Sequence, residues 1–252
     1  MNKFIIKKEF KESLYENKGI WMMVAAAFIL SALCFLVTNM KEGSVLAQND
    51  ILQYAIKAVL FITLTISTVL GASAFASERE ENTLESLLLT PISKLNLTLA
   101  KFLGVLVVGI ILCLVSIPYL IAIGLGSGLV LQAILVTFFC GILLLLAFTG
   151  ISIGLSVLMG NSKASILTSV LVVLILTFPA FIQGLFKLSP IGIFFLKFDP
   201  MASCFNMMAS MLTDRVSFFA QMQHIVPLIL FALIGISFMV IASRRVALKG
   251  EK

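Results

Sequence analysis

The sequence predicts an all-α, polytopic membrane protein with six transmembrane helices, and three observations support this prediction. Of the 252 residues, 60% are hydrophobic and 12% are charged, whereas soluble domains have about 45–50% apolar and about 25% charged residues. Several stretches exceed the ~18 apolar residues that indicate a membrane span. The basic residues flank these stretches as orientation signals do. They form no single basic stripe, so the net charge of +6 does not indicate a nucleic-acid partner.

Residues 1–18 are charged and amphipathic, which predicts a short helix lying in the cytoplasmic headgroup region. Ile6, Phe10 and Leu14 recur at a spacing of four, and lysines and glutamates occupy most of the other positions. Trp21 follows at the depth where an indole is favoured. The next apolar run carries no cleavage site, so we interpret it as an uncleaved first span.

Six spans are expected within one transmembrane domain of residues 1–252. Pro118 and Pro179 lie inside the third and fifth spans and predict kinks. Small residues at positions 150, 152, 154 and 156 predict a helix-packing face on the fourth span. The predicted spans are Gly19–Thr38, Tyr54–Ala76, Leu97–Ile123, Leu129–Met159, Ser165–Phe186 and Ile225–Ser243.

The distribution of Lys and Arg predicts the orientation. With an even number of spans both termini share one side, and that side carries thirteen of the 18 basic residues: Lys3, Lys7, Lys8, Lys11, Lys18, Arg79, Lys94, Lys101, Lys163, Arg244, Arg245, Lys249 and Lys252. The other side carries five: Lys41, Lys57, Lys187, Lys197 and Arg215. The excess predicts a multi-pass protein of the cytoplasmic membrane with both termini in the cytoplasm. Lys57 and Lys101 lie near span ends, where they are expected to snorkel to the headgroups.

Acidic residues and cysteines narrow the function. No Asp or Glu falls inside a predicted span, whereas proton- and ion-coupled carriers usually place ionisable groups at membrane depth. This disfavours a gradient-driven secondary transporter. The four cysteines have neither disulfide nor zinc spacing, and we interpret them as small buried apolar residues.

The most distinctive polar stretch is the link between spans two and three, residues 77–93. Ser77 followed by Glu80 is a capping box, which predicts a helix start, and Pro91 predicts its end near Thr90. Leucines at 84, 87 and 88 would share one face of this helix. Such a helix can dock in a groove of a partner protein or lie on lipid. Its acidic residues suit anionic headgroups poorly, which favours the protein partner.

The run Glu-Arg-Glu-x-x-Thr-Leu-Glu-x-Leu-Leu-x-Thr-Pro-Ile-Ser, residues 78–93, resembles the signature of the ABC-2 type permeases, the membrane subunits of one class of ABC exporters. The resemblance implies a coupling helix that inserts into a cleft of an ATPase subunit. Many members have Gly where this chain has Asn82. The match extends to Glu78, Arg79, Glu80, Thr83, Leu84, Glu85, Leu87, Leu88, Thr90, Pro91 and Ser93.

The resemblance implies a permease subunit of an ATP-driven exporter, working with two ATPase subunits and a second permease copy or paralogue. The chain has no G-x-x-x-x-G-K-[ST] phosphate loop, so ATP and Mg are expected in the partner and no enzyme activity is expected here. Two alternatives stay open: a membrane subunit of an assembly or maturation system, for example for copper enzymes, and a gradient-driven transporter. Spans without fixed charges favour a lipid-like, amphipathic or peptide cargo.

Residues 187–224 are expected on the outer side. Asp199 and Pro200 predict a helix start, and residues 201–212 are apolar enough for a short helix that re-enters the membrane edge. Soft sulfur ligands with an imidazole would suit Cu(I), but methionine is also an adaptable packing residue. We favour packing and predict no metal site. The sulfur and imidazole candidates are Met201, Cys204, Met208, Met211, Met222 and His224.

Overall fold

The computed structural model describes residues 3–15, 19–39, 45–84, 93–125, 127–212 and 218–246. Within these ranges the chain is helical and contains no strand. The helices are α1 (Lys3–Tyr15), α2 (Gly19–Asn39), α3 (Val45–Glu80), α4 (Lys94–Gly124), α5 (Val130–Leu158), α6 (Ser162–Phe181), α7 (Gln183–Phe186), α8 (Pro190–Phe198), α9 (Pro200–Leu212) and α10 (Met222–Ser243), with a 3-10 turn at Phe218–Gln221.

Six of these helices, α2 to α6 and α10, are long and apolar enough to cross a membrane. The 21 residues of α2 measure about 32 Å at 1.5 Å per residue, which matches the hydrocarbon thickness of a bilayer. The predicted all-α polytopic class is therefore confirmed. The largest differences from the predicted bounds are in α3, which is longer at both ends, and in α6, which ends at Phe181 instead of Phe186.

Helix α5 lies at the centre of the bundle and packs against α3, α4, α6 and α10. Its side chains Leu144, Leu145 and Phe148 are almost fully buried. By contrast, α2 lies at the periphery, where Trp21, Phe28 and Phe35 are 74%, 76% and 69% exposed. Large apolar side chains that face outward in this way are suited to contact with lipid tails.

The small residues of α5 pack on two helices, not on the single face predicted. A Cβ on Gly150 would lie 2.6 Å from the backbone oxygen of Gly235 in α10. A Cβ on Gly71 of α3 would meet the Ser152 hydroxyl. Positions two residues apart are about 200° apart around a helix, so the glycines face α10 and the serines face α3. The packing role holds for both faces.

The bundle has two distinct ends. The link end is where α3 ends and α4 begins; α1 packs there on α4, and Leu84 and Val246 share one buried cluster with Ile153 of α5. The far end carries α7, α8, α9 and the 3-10 turn. It also carries the turn between α4 and α5, where Gly128 adopts a φ of +68°. The helices nearest the two chain termini therefore meet at the same end, as an even number of spans requires.

Candidate coupling site at the link end

The link begins with a helix end. Asn82 has a φ of +56°, a left-handed conformation that Asn tolerates better than most residues. The Glu81 amide donates to the Ser77 carbonyl at 2.9 Å, and the Thr83 amide donates to the Glu78 carbonyl at 3.0 Å. The second bond spans five residues, as in the Schellman motif that terminates helices. Asn82 therefore occupies the left-handed position that ends α3, at which many family members are expected to have Gly.

The predicted helix start at Ser77 is wrong. Ser77 and Glu80 lie in the last turn of α3, which runs unbroken from the span to Glu80. A capping box needs a non-helical residue at its first position, and here the preceding span supplies helical backbone instead. Of the predicted coupling residues, Glu85, Leu87, Leu88, Thr90 and Pro91 lie outside the described residues. Ser93 begins α4, where its hydroxyl accepts from the Asn96 amide at 3.3 Å.

Arg79 fastens the end of α3 to the end of α5. Its Nη1 donates to the Met159 carbonyl at 2.5 Å, and its Nη2 donates to the Val157 carbonyl at 3.0 Å. These carbonyls belong to the last turn and cap of α5, where backbone oxygens lack partners within the helix. A guanidinium there also complements the negative end of the helix dipole. The Arg of the signature is thus an internal tether.

Glu78 belongs to a buried ion network that joins three helices. The Lys101 ammonium of α4 lies 2.6 Å from Oε1 of Glu78 and 2.9 Å from Oε2 of Glu9 in α1. All three residues are at most 5% exposed. Carboxylate oxygens of Glu9, Glu12 and Glu78 lie within 4.8 Å of one another. One cation therefore holds a group of carboxylates together, and the second oxygens of Glu9 and Glu78 have no hydrogen-bond partner.

This network corrects two sequence interpretations. Lys101 does not snorkel to the headgroups, because it is buried in the ion pairs. Glu9 does not lie on an outward polar face of α1; it points inward with Ser13, while Phe10 and Leu14 pack beside them. An amphipathic pattern assigns every charged residue to the exposed face, so it did not predict that Glu9 and Lys101 are buried. The available signal was a lysine two turns inside an otherwise apolar helix.

Serine hydroxyls bind the same end of α3 to α5 and α6. The Ser156 hydroxyl of α5 accepts from the Phe75 and Ala76 amides, both at 3.0 Å. The Ser165 hydroxyl of α6 donates to the Ala72 carbonyl at 2.7 Å. These bonds engage backbone groups of α3 and therefore connect its end to both helices.

The described part of the link divides into an exposed edge and an anchor. Glu80, Glu81, Asn82 and Thr83 are exposed, whereas Leu84 is 3% exposed. Leu84 packs in the cluster that contains Val246 and Phe75. The edge exposes the carboxylates of Glu80 and Glu81, the Thr83 hydroxyl donates to the Glu78 carbonyl at 3.3 Å, and Leu84 holds the chain against the bundle.

The far-end candidates are arranged differently. Asp199 begins α9 as predicted, and its Oδ1 accepts from the Met201 and Ala202 amides at 2.8 and 3.1 Å. Burial raises the pKa of Asp199 from 3.8 to about 6, against the opposing effect of these hydrogen bonds.

The sulfur residues of α9 face the core. Met201, Cys204 and Met208 are fully buried, and Met211 packs beside them. Burial also raises the pKa of the Cys204 thiol well above its ordinary value, which disfavours the thiolate that binds metals. His224 lies in a separate cavity that none of these four residues lines, and Met222 is 61% exposed. The structure therefore does not bring the imidazole and the sulfurs together.

Six spanning helices and a link whose residues bond directly to α4 and α5 define a polytopic membrane protein. A family model described as "ABC-2 family transporter protein" matches residues 5–180. The chain therefore belongs to this family, as its link signature indicates. Membrane subunits of this family generally work with ATPase partners. A comparison with curated proteins gave no match.

Proposed function

We propose that the chain is the permease subunit of an ATP-driven exporter and that its link is the contact through which a separate ATPase drives it. The observation that supports this most is the attachment of the signature residues. Glu78 is held by Lys101, and Arg79 by the carbonyls at the end of α5. A link without a mechanical role would not need charged tethers to three other helices.

The basic residues support a cytoplasmic location for the link end. Arg79, Lys94, Lys101 and Lys163 lie at this end, as do α1 and the end of α10 with Arg244 and Arg245. Lysines 187 and 197 lie at the far end. The positive-inside rule then assigns the link end to the cytoplasm, where ATP is available.

The proposed mechanism assigns the two parts of the link different roles. The exposed edge, residues 80–83, contacts the ATPase, and Leu84 keeps it on the bundle. When two ATPase subunits bind ATP and Mg and close, the edge moves. Arg79 passes this displacement to α5, and Glu78 passes it through Lys101 to α4 and α1. A second permease copy would complete the path, since two six-helix subunits around an axis can enclose a larger cargo than one.

The test is to reconstitute the chain with its ATPase and to measure both association and ATPase rate relative to the ATPase alone. Glu80→Lys reverses a charge on the exposed edge and is expected to weaken association. Asp50→Lys is the matched control, because Asp50 is also exposed but lies at the other end of the same helix. Equal association of both variants with the ATPase would contradict the proposed contact.

The alternatives predict other outcomes. A gradient-driven transporter would move its solute in vesicles without an ATPase. A subunit of an assembly system would form the complex, but its ATPase would not respond to any solute. A copper role would need the sulfurs of α9 to accept metal, yet three of them are sealed in the core.

A further inference from the structure

A second site lies at the far end, beyond the residues that the family model matches. A cavity of about 440 Å³ opens between α8, α9 and the start of α10. Two apolar side chains, Ile193 and Leu196, form part of its wall. Its polar lining consists of Lys187, Lys197, Ser203, Asn206, Gln223 and His224.

The chemistry of this lining is that of an anion site. Two ammonium groups, an imidazole, two carboxamides and a hydroxyl can all donate hydrogen bonds. No carboxylate lines the cavity among the described residues. The nearest acidic residue along the chain, Asp199, is buried and its Oδ1 is engaged at the start of α9. In the described structure neither lysine forms an ion pair, so both charges are available to a ligand.

The helix that supplies Lys197 also carries an exposed apolar face. Ile191, Phe194, Phe195 and Phe198 of α8 are 56–70% exposed. Ile193, Leu196 and Lys197 lie on the cavity side of the same helix. Gly192 allows α8 to pack closely against the backbone at Phe186, and this contact holds the helix in place. A short helix with an exposed apolar face and a lysine on its other side is suited to the boundary between acyl chains and headgroups.

We propose that this cavity binds the anionic headgroup of a phospholipid whose acyl chains lie along the apolar face of α8. A phosphate diester supplies several oxygen acceptors and one negative charge, which the two lysines and the amide donors can satisfy together. A zwitterionic lipid would bring its own cation toward the lysines and bind less well. The site is independent of the proposed function, since it requires neither an ATPase nor transport.

The experiment uses the full chain in phosphatidylcholine nanodiscs that contain a photoactivatable phosphatidylglycerol. Cross-linked peptides are mapped by mass spectrometry, with unlabelled phosphatidylglycerol, phosphatidylcholine or glycerol 3-phosphate as competitors. Labelling is expected on peptides from residues 183–212 and 218–228, and phosphatidylglycerol is expected to compete best. Lys187→Gln with Lys197→Gln is expected to lower the affinity at these peptides about thirty-fold, because each lysine near a membrane surface contributes about one kcal/mol.

The matched control is Lys94→Gln with Lys163→Gln, which removes two exposed lysines at the link end. It is expected to leave far-end labelling unchanged. Equal labelling of the two double variants, or equal competition by phosphatidylcholine, would overturn the proposal. Competition by glycerol 3-phosphate at the potency of phosphatidylglycerol would indicate a soluble anion and would overturn the lipid assignment. Loss of ATPase coupling with retained labelling would count against the proposed function alone.

Discussion

The two ends of the bundle are held together by different chemistry. At the link end, charged and hydroxyl side chains bond one helix to another: Lys101 to two glutamates, Arg79 to the end of α5, and Ser156 to the α3 backbone. At the far end, α9 inserts buried Met and Cys side chains into an apolar core, and Asp199 caps its first turn. The family match ends at residue 180, before α7 begins.

This difference supports the division of roles in the proposed mechanism. A buried ion pair contributes little net stability compared with apolar packing, but it fixes one arrangement of the groups that it joins. In the proposed mechanism the link end passes a displacement between helices, and directional contacts suit that role. Apolar packing, which is not directional, suffices for an end that seals the bundle and offers a separate ligand cavity.

The largest expected effect is at Lys101. Lys101→Met leaves Glu9 and Glu78 buried without a cation, which should lower the free energy of unfolding by about 3–5 kcal/mol. Thermal unfolding of the purified protein in detergent measures it. Lys94→Met, at an exposed position of the same helix, should change stability by at most about 0.5 kcal/mol.

A triple variant isolates the charge effect at Lys101 from simple loss of packing. Lys101→Met combined with Glu9→Gln and Glu78→Gln removes the uncompensated charges and should recover most of the loss. If Lys101→Met alone were as stable as the wild type, the network would not organise the link end.

The next effect is the pH dependence of stability that arises from Asp199, the buried cap of α9. Asp199 has a raised pKa of about 6 in the folded protein, compared with 3.8 ordinarily, so the folded state binds the proton more tightly. Its stabilising contribution is complete below about pH 4 and is lost as the pH rises through 6, by roughly 2–3 kcal/mol. The free energy of unfolding, measured from pH 4 to 7, should therefore fall in the wild type relative to Asp199→Asn. Parallel pH profiles of the two proteins would contradict it.

A smaller effect is expected at Arg79. Arg79→Ala removes two hydrogen bonds to carbonyls at the end of α5 and should cost about 1–2 kcal/mol. Because the exposed edge of the link is unchanged, association with the ATPase should persist while the ATPase rate of the complex no longer responds to the permease. Loss of association with normal stability would instead make Arg79 a contact residue.

The smallest effect is expected in the far-end core. Met208→Leu conserves volume at a fully buried position, so stability should change by less than about 1.5 kcal/mol. If α9 has only a packing role, Cu(I) bound per purified protein should be the same for the variant and the wild type. A lower copper content in the variant would revive the maturation alternative.

Local patterns were reliable where one physical effect dominates. The length of the apolar runs predicted six spanning helices, and Asp199 followed by Pro200 predicted the start of α9. The pattern Ser77-x-x-Glu80 failed because helix starts and continuing helices share the same residues, and only the preceding backbone distinguishes them. The single small-residue face on α5 failed because the prediction did not resolve which neighbour each position meets.

The sequence by itself determined that the protein is embedded in a membrane, how many spanning helices it has and to which family it belongs. Hydropathy, the positions of charges and a contiguous signature are local properties of the chain, so they can be recognised without the fold. Tertiary structure alone decided the partners. It joined Lys101 to a glutamate 92 positions away, turned Arg79 onto α5 and separated His224 from the sulfurs. The physical reason is that burying a charged side chain without a partner costs free energy. Whether such a side chain is buried therefore depends on distant helices that bring a counter-charge or a hydrogen-bond acceptor to it.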